Sequence, residues 1–162
     1  MKSYAAPVTV LVLLLAPLLT QGGCGVAKTA RLPIPGGQNF ARFTIQINVA
    51  DGANANSPIP VDFVMVADKK LMPEVAKMSA RDWYDRRAQI QRDFPTKVQV
   101  LSWEWVPGNH VGPISIDIKE KTLAGFLFAN YSNSGEHRAY VDVRKPIVLN
   151  LGAEEFVVQS LK

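Results

Sequence analysis

One cysteine, Cys24, and two histidines, His110 and His137, are all that 162 residues offer in soft or imidazole ligands. A lone thiol excludes an internal disulfide, and the separation of the histidines leaves no cluster with zinc-ligand spacing. Catalytic signatures are missing as well: there is no G-x-S-x-G elbow, no phosphate loop and no H-E-x-x-H helix. The net charge of +4 is interspersed along the chain. No Lys/Arg stripe with interleaved aromatics appears, so nucleic acid is not an expected partner. No apolar run reaches the roughly 20 residues that a spanning helix needs. The expectation is a non-enzyme with no cofactor, no metal and no small-molecule substrate.

What is present begins at the N-terminus. Lys2 is a short positive region, and residues 8–19 are mostly apolar, although Pro7 and Pro17 shorten the stretch. Small residues follow in Thr20-Gln-Gly-Gly-Cys-Gly25, which completes the pattern of a secretory signal peptide. An unpaired thiol in an exported protein needs a purpose, and thioether lipidation supplies one. This context resembles the bacterial lipobox, with Gly22 and Gly23 as the small residues before a lipidated Cys24 and Gln21 where the pattern has Leu. Cleavage of an ordinary signal after Ala27 is the competing reading, and it would discard Cys24. Acyl chains at ~0.8 kcal/mol per buried methylene would anchor the protein without a spanning helix. Gly25, rather than Asp, resembles the sorting signal for the outer membrane of a Gram-negative cell.

Three segments follow: a signal peptide over 1–23, a lipidated N-terminus and flexible tether over 24–38, and one domain over 39–162. The tether holds two prolines and three glycines with no apolar period. In the domain, Phe43, Ile45, Ile47 and Val49 alternate with Thr44, Gln46 and Asn48, which predicts a strand with one buried face. Residues 51–60 are turn formers and small residues, so they read as a loop in which Asn54, Asn56 and Ser57 have no evident core role. Residues 61–67 form a second strand, apolar on both faces and therefore central.

The period then changes. Pro73 suits a first helical turn, and Ser79 with Asp82 predicts a capping box that opens a second helix. Ala80, Trp83, Arg87, Ile90 and Phe94 share its inward face; Arg81, Asp85, Arg86, Gln89 and Arg92 face outward, and Pro95 stops it. The charged groups of residues 81–87 read as a solvated face, since exposed pairs contribute only ~0.3–0.5 kcal/mol each. Strands return over 98–106, 111–118, 123–131, 138–143, 147–151 and 156–161. About seven or eight short strands around a helical insertion at about 71–94 predict a mainly β protein, a β-sandwich.

Thr44-Ile-Gln-Ile-Asn-Val-Ala50, Ser57-Pro-Ile-Pro-Val-Asp-Phe-Val-Met-Val66, Trp105-Val-Pro-Gly108 and Leu123-Ala-Gly-Phe-Leu-Phe-Ala-Asn-Tyr131, taken with the lipobox-like cysteine, resemble the outer-membrane lipoproteins of type VI secretion systems, the TssJ (SciN) family. The resemblance implies a transthyretin-like β-sandwich, lipid-anchored in the outer membrane and facing the periplasm. It also implies a structural role, recruiting the periplasmic part of an inner-membrane, TssM-like protein of the secretion complex. Carried onto this chain, the partner-binding loop contains Asp51, Gly52, Asn54, Asn56, Ser57 and Pro58. The alternative is a periplasmic lipoprotein that binds a small ligand or envelope polymer in a cleft lined by Trp83, Trp103 and Trp105.

Overall fold

A computed structural model of the chain describes residues 40–119 and 121–161. The residues expected to form a signal peptide and a tether, Cys24 among them, lie outside the described residues. Eight strands and two helices follow one another: β1 (Phe40–Val49), β2 (Ile59–Val66), α1 (Leu71–Val75), α2 (Ala80–Asp93), β3 (Val98–Trp105), β4 (His110–Lys119), β5 (Ala124–Ala129), β6 (Arg138–Val141), β7 (Ile147–Leu151) and β8 (Phe156–Ser160). They make two four-stranded sheets, ordered β4-β1-β7-β8 and β3-β2-β5-β6. Every pairing is antiparallel except β1 with β7. The expected β-sandwich with a helical insertion is what forms.

The period of two in β1 is the physical cause of the sandwich. Phe43, Ile45, Ile47 and Val49 point inward and are at most 1% exposed, while the residues between them reach the outer side. They meet Val61, Phe63, Met65 and Leu127 from the second sheet. Phe43 stacks on Phe63 with ring centroids 5.1 Å apart, worth ~0.5–1.5 kcal/mol beyond area burial. Gly125 sits opposite Met65 on this inner face, where a Cβ would come within 2.9 Å of the Phe63 ring and 2.8 Å of Val143. Only glycine lets β5 approach.

β2 is buried on both sides because α1 and α2 cover the outer face of its sheet. Val64, Val66, Val75, Trp83, Ile90, Phe126 and Phe128 form this second core. The capping box is present: the Asp82 amide donates to Ser79 Oγ at 3.1 Å, and the Ser79 amide to Asp82 Oδ2 at 3.0 Å. Trp83 is fully buried, stacked on Phe128 at 5.2 Å, and its Nε1 donates to Asp62 Oδ2 at 2.8 Å.

Two expectations about α2 are corrected. Phe94 is 37% exposed, because the backbone leaves the helix there at φ −128°, ψ 51° and swings the ring off the inward face. Arg87 is not part of a solvated charge pattern: its guanidinium donates to Asp62 Oδ2 at 2.9 Å and lies over the Tyr84 ring at 4.6 Å. Asp62 is 1% exposed on β2, so its carboxylate is shielded from water where the helix meets the sheet, while the Arg87 side chain stays partly open to solvent. A buried carboxylate must be paired or it is costly, and Trp83 and Arg87 together satisfy it.

Candidate functional site

The strand directions collect four connections at one end of the sandwich: 50–58 between β1 and β2, 106–109 between β3 and β4, 130–137 between β5 and β6, and 152–155 between β7 and β8. The first of these contains all six residues expected to meet a partner. Its backbone is unusual. Gly52 has φ 76°, and Asn54, Ala55 and Asn56 follow at φ 49°, 53° and 61°. Three successive non-glycine residues in the left-handed region cost ~1–2 kcal/mol each, less for asparagine, so surrounding contacts must impose the shape.

Those contacts converge on Asn54. Its amide donates to Ala153 O at 3.0 Å, its Nδ2 donates to Pro58 O at 3.1 Å, and its Oδ1 accepts from the Ser132 amide at 2.7 Å. Asn54 is 4% exposed, which corrects the expectation that it has no core role. Ala53 beneath it is fully buried. The turn is thereby tied to two other connections, and what remains on the surface is Asp51, Ala55, Asn56, Ser57 and Pro58, with Gly52 half-buried. The sequence marked the segment correctly as a loop. It could not show that Asn54 holds the loop from inside.

The remaining connections are fastened in the same way. Gly108, at φ 80° in the Pro107-Gly108 turn, donates its amide to Ala50 O at 3.4 Å, and Asn133 Nδ2 donates to Glu154 O at 3.1 Å. Tyr131 donates its hydroxyl to Gly152 O at 3.2 Å. Burial, reinforced by the nearby Glu155 carboxylate, pushes that hydroxyl's pKa well above the ordinary tyrosine range. His137 is 4% exposed at φ 42°, stacked on Tyr131 at 4.9 Å. Its Nδ1 lies 3.1 Å from Glu155 Oε2 and its Nε2 3.2 Å from Asn133 O. Both ring nitrogens therefore face protein acceptors, and neither is presented to a substrate. A Cβ on Gly135 would lie 2.6 Å from the ring, so glycine is required beside it.

The proposed tryptophan cleft does not exist. Trp83 belongs to the core beneath α2, whereas Trp105 and the partly buried Trp103 pack on the inner face of the same sheet, 6.0 Å from one another. A half-open cavity of about 490 Å³ does border the loop end, between the start of α2 and the β5–β6 connection. It is lined by Ser79, Arg81, Asn130, Tyr131, Glu136 and His137 among others, and by no tryptophan. His110 is exposed, with Nδ1 3.4 Å from Asn48 Oδ1. Among the described residues no group of three His, Cys, Asp or Glu side chains is placed to hold a metal ion. Among them, too, no helix is long and apolar enough to cross a membrane.

No protein-family model and no curated protein matches the sequence. Solved structures do match its fold. The type VI secretion lipoprotein TssJ1 from Pseudomonas aeruginosa superposes with a TM-score of 0.62 at 15% identity, over 76% of this chain and 98% of its own. Lip from Serratia marcescens, a membrane-bound component of the type VI secretion system, gives 0.56 at 10% identity, over 75% and 97%. A chain of a type VI membrane complex gives 0.57 at 8% identity, over 75% and 99%. The eight-stranded sandwich with its helical insertion is thus the fold of the type VI secretion lipoproteins TssJ1 and Lip.

Proposed function

We propose that the chain is a structural component of a type VI secretion membrane complex, a lipoprotein anchored through Cys24 that recruits a TssM-like inner-membrane protein with its β1–β2 loop. The observation that carries this reading is the fold likeness, which spans nearly the whole of TssJ1 and three-quarters of this chain. The loop supports it. A rigid, strained turn that exposes Asn56, Ser57 and Pro58 is ordered before binding, so little conformational entropy is left to lose on contact. The occupied nitrogens of His137 and the separated tryptophans speak for binding to a protein rather than for catalysis or ligand capture.

The test has two arms. Ser57→Arg and Pro58→Glu change only exposed atoms, so the domain stays folded while capture of the partner's periplasmic region and secretion are lost. Cys24→Ser releases the protein from the outer-membrane fraction. Undiminished capture by both loop variants would remove the loop from the interface, and a Cys24→Ser protein still sedimenting with the outer membrane would end the anchor assignment.

A further inference from the structure

The opposite end of the sandwich has different chemistry. The four connections at the loop end contain Asp51, Glu136, Glu154 and Glu155 and not one Lys or Arg. At the other end every connection is net basic: Lys69 and Lys70 follow Asp68 between β2 and α1, Lys97 lies between α2 and β3, Lys119 and Lys121 flank Glu120 around the β4–β5 turn, and Arg144 with Lys145 follows Asp142 between β6 and β7. Asp142 pairs with Arg144 and Lys145, and Asp68 is occupied by the backbone amides of Lys70 and Leu71. No ion pair among the described residues includes Lys69, Lys70, Lys97, Lys119 or Lys121. Two exposed apolar side chains stand among these cations: Leu123 is 42% and Phe94 37% exposed. Lys97 and Lys119 border one narrow cleft with Thr96 and Thr122.

We infer that this basic end docks on an anionic phospholipid surface, with the lysines on headgroup phosphates and Leu123 and Phe94 at the acyl boundary. Two features select a bilayer over an acidic protein. Lysines spread over four connections make a flat, diffuse charge rather than a bidentate pocket, and apolar residues interleaved with cations are what an interfacial surface presents. β1 also starts at this end, since Phe40 pairs with Lys119, so the segment carrying the apolar stretch and Cys24 joins the domain here. The inference rests on the anchored-lipoprotein reading for its orientation: the basic end then faces the membrane and the β1–β2 loop points away from it.

The full lipidated chain, reconstituted in vesicles of phosphatidylcholine alone or with about 30% phosphatidylglycerol, tests this by backbone amide exchange and flotation. Exchange in residues 67–70, 94–97 and 119–123 slows roughly fivefold or more on the anionic vesicles, and the protection is lost at about 0.5 M salt. Residues 130–137 are unaffected. Lys69→Glu and Lys70→Glu combined with Lys97→Glu and Lys121→Glu, all exposed positions, abolish the protection, while Arg81→Glu with Arg86→Glu leaves it intact at a smaller charge cost. Equal exchange on both vesicles would overturn the inference, as would equal protection by soluble polyglutamate. Flotation with phosphatidylcholine alone reads the anchor separately. A chain that floats only with anionic vesicles keeps the docking and loses the anchor, and one that floats with neither loses both.

Discussion

The two ends of this sandwich are built on opposite principles. At the loop end four connections are laced together by hydrogen bonds, with Asn54 bonded to Ser132 and Ala153 across the end and His137 wedged between Tyr131 and Glu155. At the basic end the connections are short and their charged groups reach into solvent, with most lysines unpaired among the described residues. One end fixes a shape, and the other presents a field. A fixed shape suits recognition of one protein surface, while a diffuse field suits a surface without specific sites.

The comparison breaks most readily at Asn54. Asn54→Ala leaves the Ser132 amide and the Pro58 carbonyl without their partner and forces an alanine to φ 49°, so unfolding by urea should show a loss of about 2–4 kcal/mol. Asn54→Gly accepts the backbone and loses only the side-chain bonds, so it should fall between that value and wild type. A loss below about 0.5 kcal/mol for Asn54→Ala would mean that the end is not held as a unit. Gly135→Ala comes next. The Cβ would meet the His137 ring at 2.6 Å, and moving a ring held between Tyr131 and Glu155 costs about 1–3 kcal/mol. The amide resonances of Tyr131 and Glu155 should shift with it.

The sequence was legible where the signal is local. Alternation in residues 43–49, Ser79 three positions before Asp82, and Pro107-Gly108 each specify structure through neighbours a few residues apart, and each was found as expected. It was opaque where the partner is distant. Asn54 and Ser132 are 78 positions apart, and Asp62 and Arg87 are 25 apart, so neither pairing leaves a periodic trace. Phe94 failed for another reason: helical spacing placed it inward, but the helix ended one residue earlier and took its direction with it. Within the candidate site, composition revealed a loop in residues 51–60. The division into a buried anchor, Asn54, and an exposed tip needed the fold.

The two ends should also fail at opposite extremes of pH. Tyr131 at the loop end has a folded pKa raised above its unfolded value, so its contribution is complete below the unfolded tyrosine range near pH 10 and is lost as pH rises beyond it. Tyr131→Phe removes that alkaline dependence, though Tyr84, raised by burial and by Asp62, retains its own. At the basic end the sign reverses. The Arg144 side chain and amide hold the Asp142 carboxyl down at about 2, so its contribution is present above the ordinary carboxylate range and is lost as pH falls towards about 2. Asp142 is half-buried but its partners Arg144 and Lys145 are open to solvent, which makes this the smallest of the effects. Urea unfolding of Asp142→Asn against wild type should therefore differ slightly near neutrality and converge between pH 4 and 2 as the wild-type carboxyl is protonated. If the two curves instead stayed parallel through that acid range, the ion pair would contribute nothing to folding, and the contrast between a locked end and an electrostatic end would rest on charge placement alone.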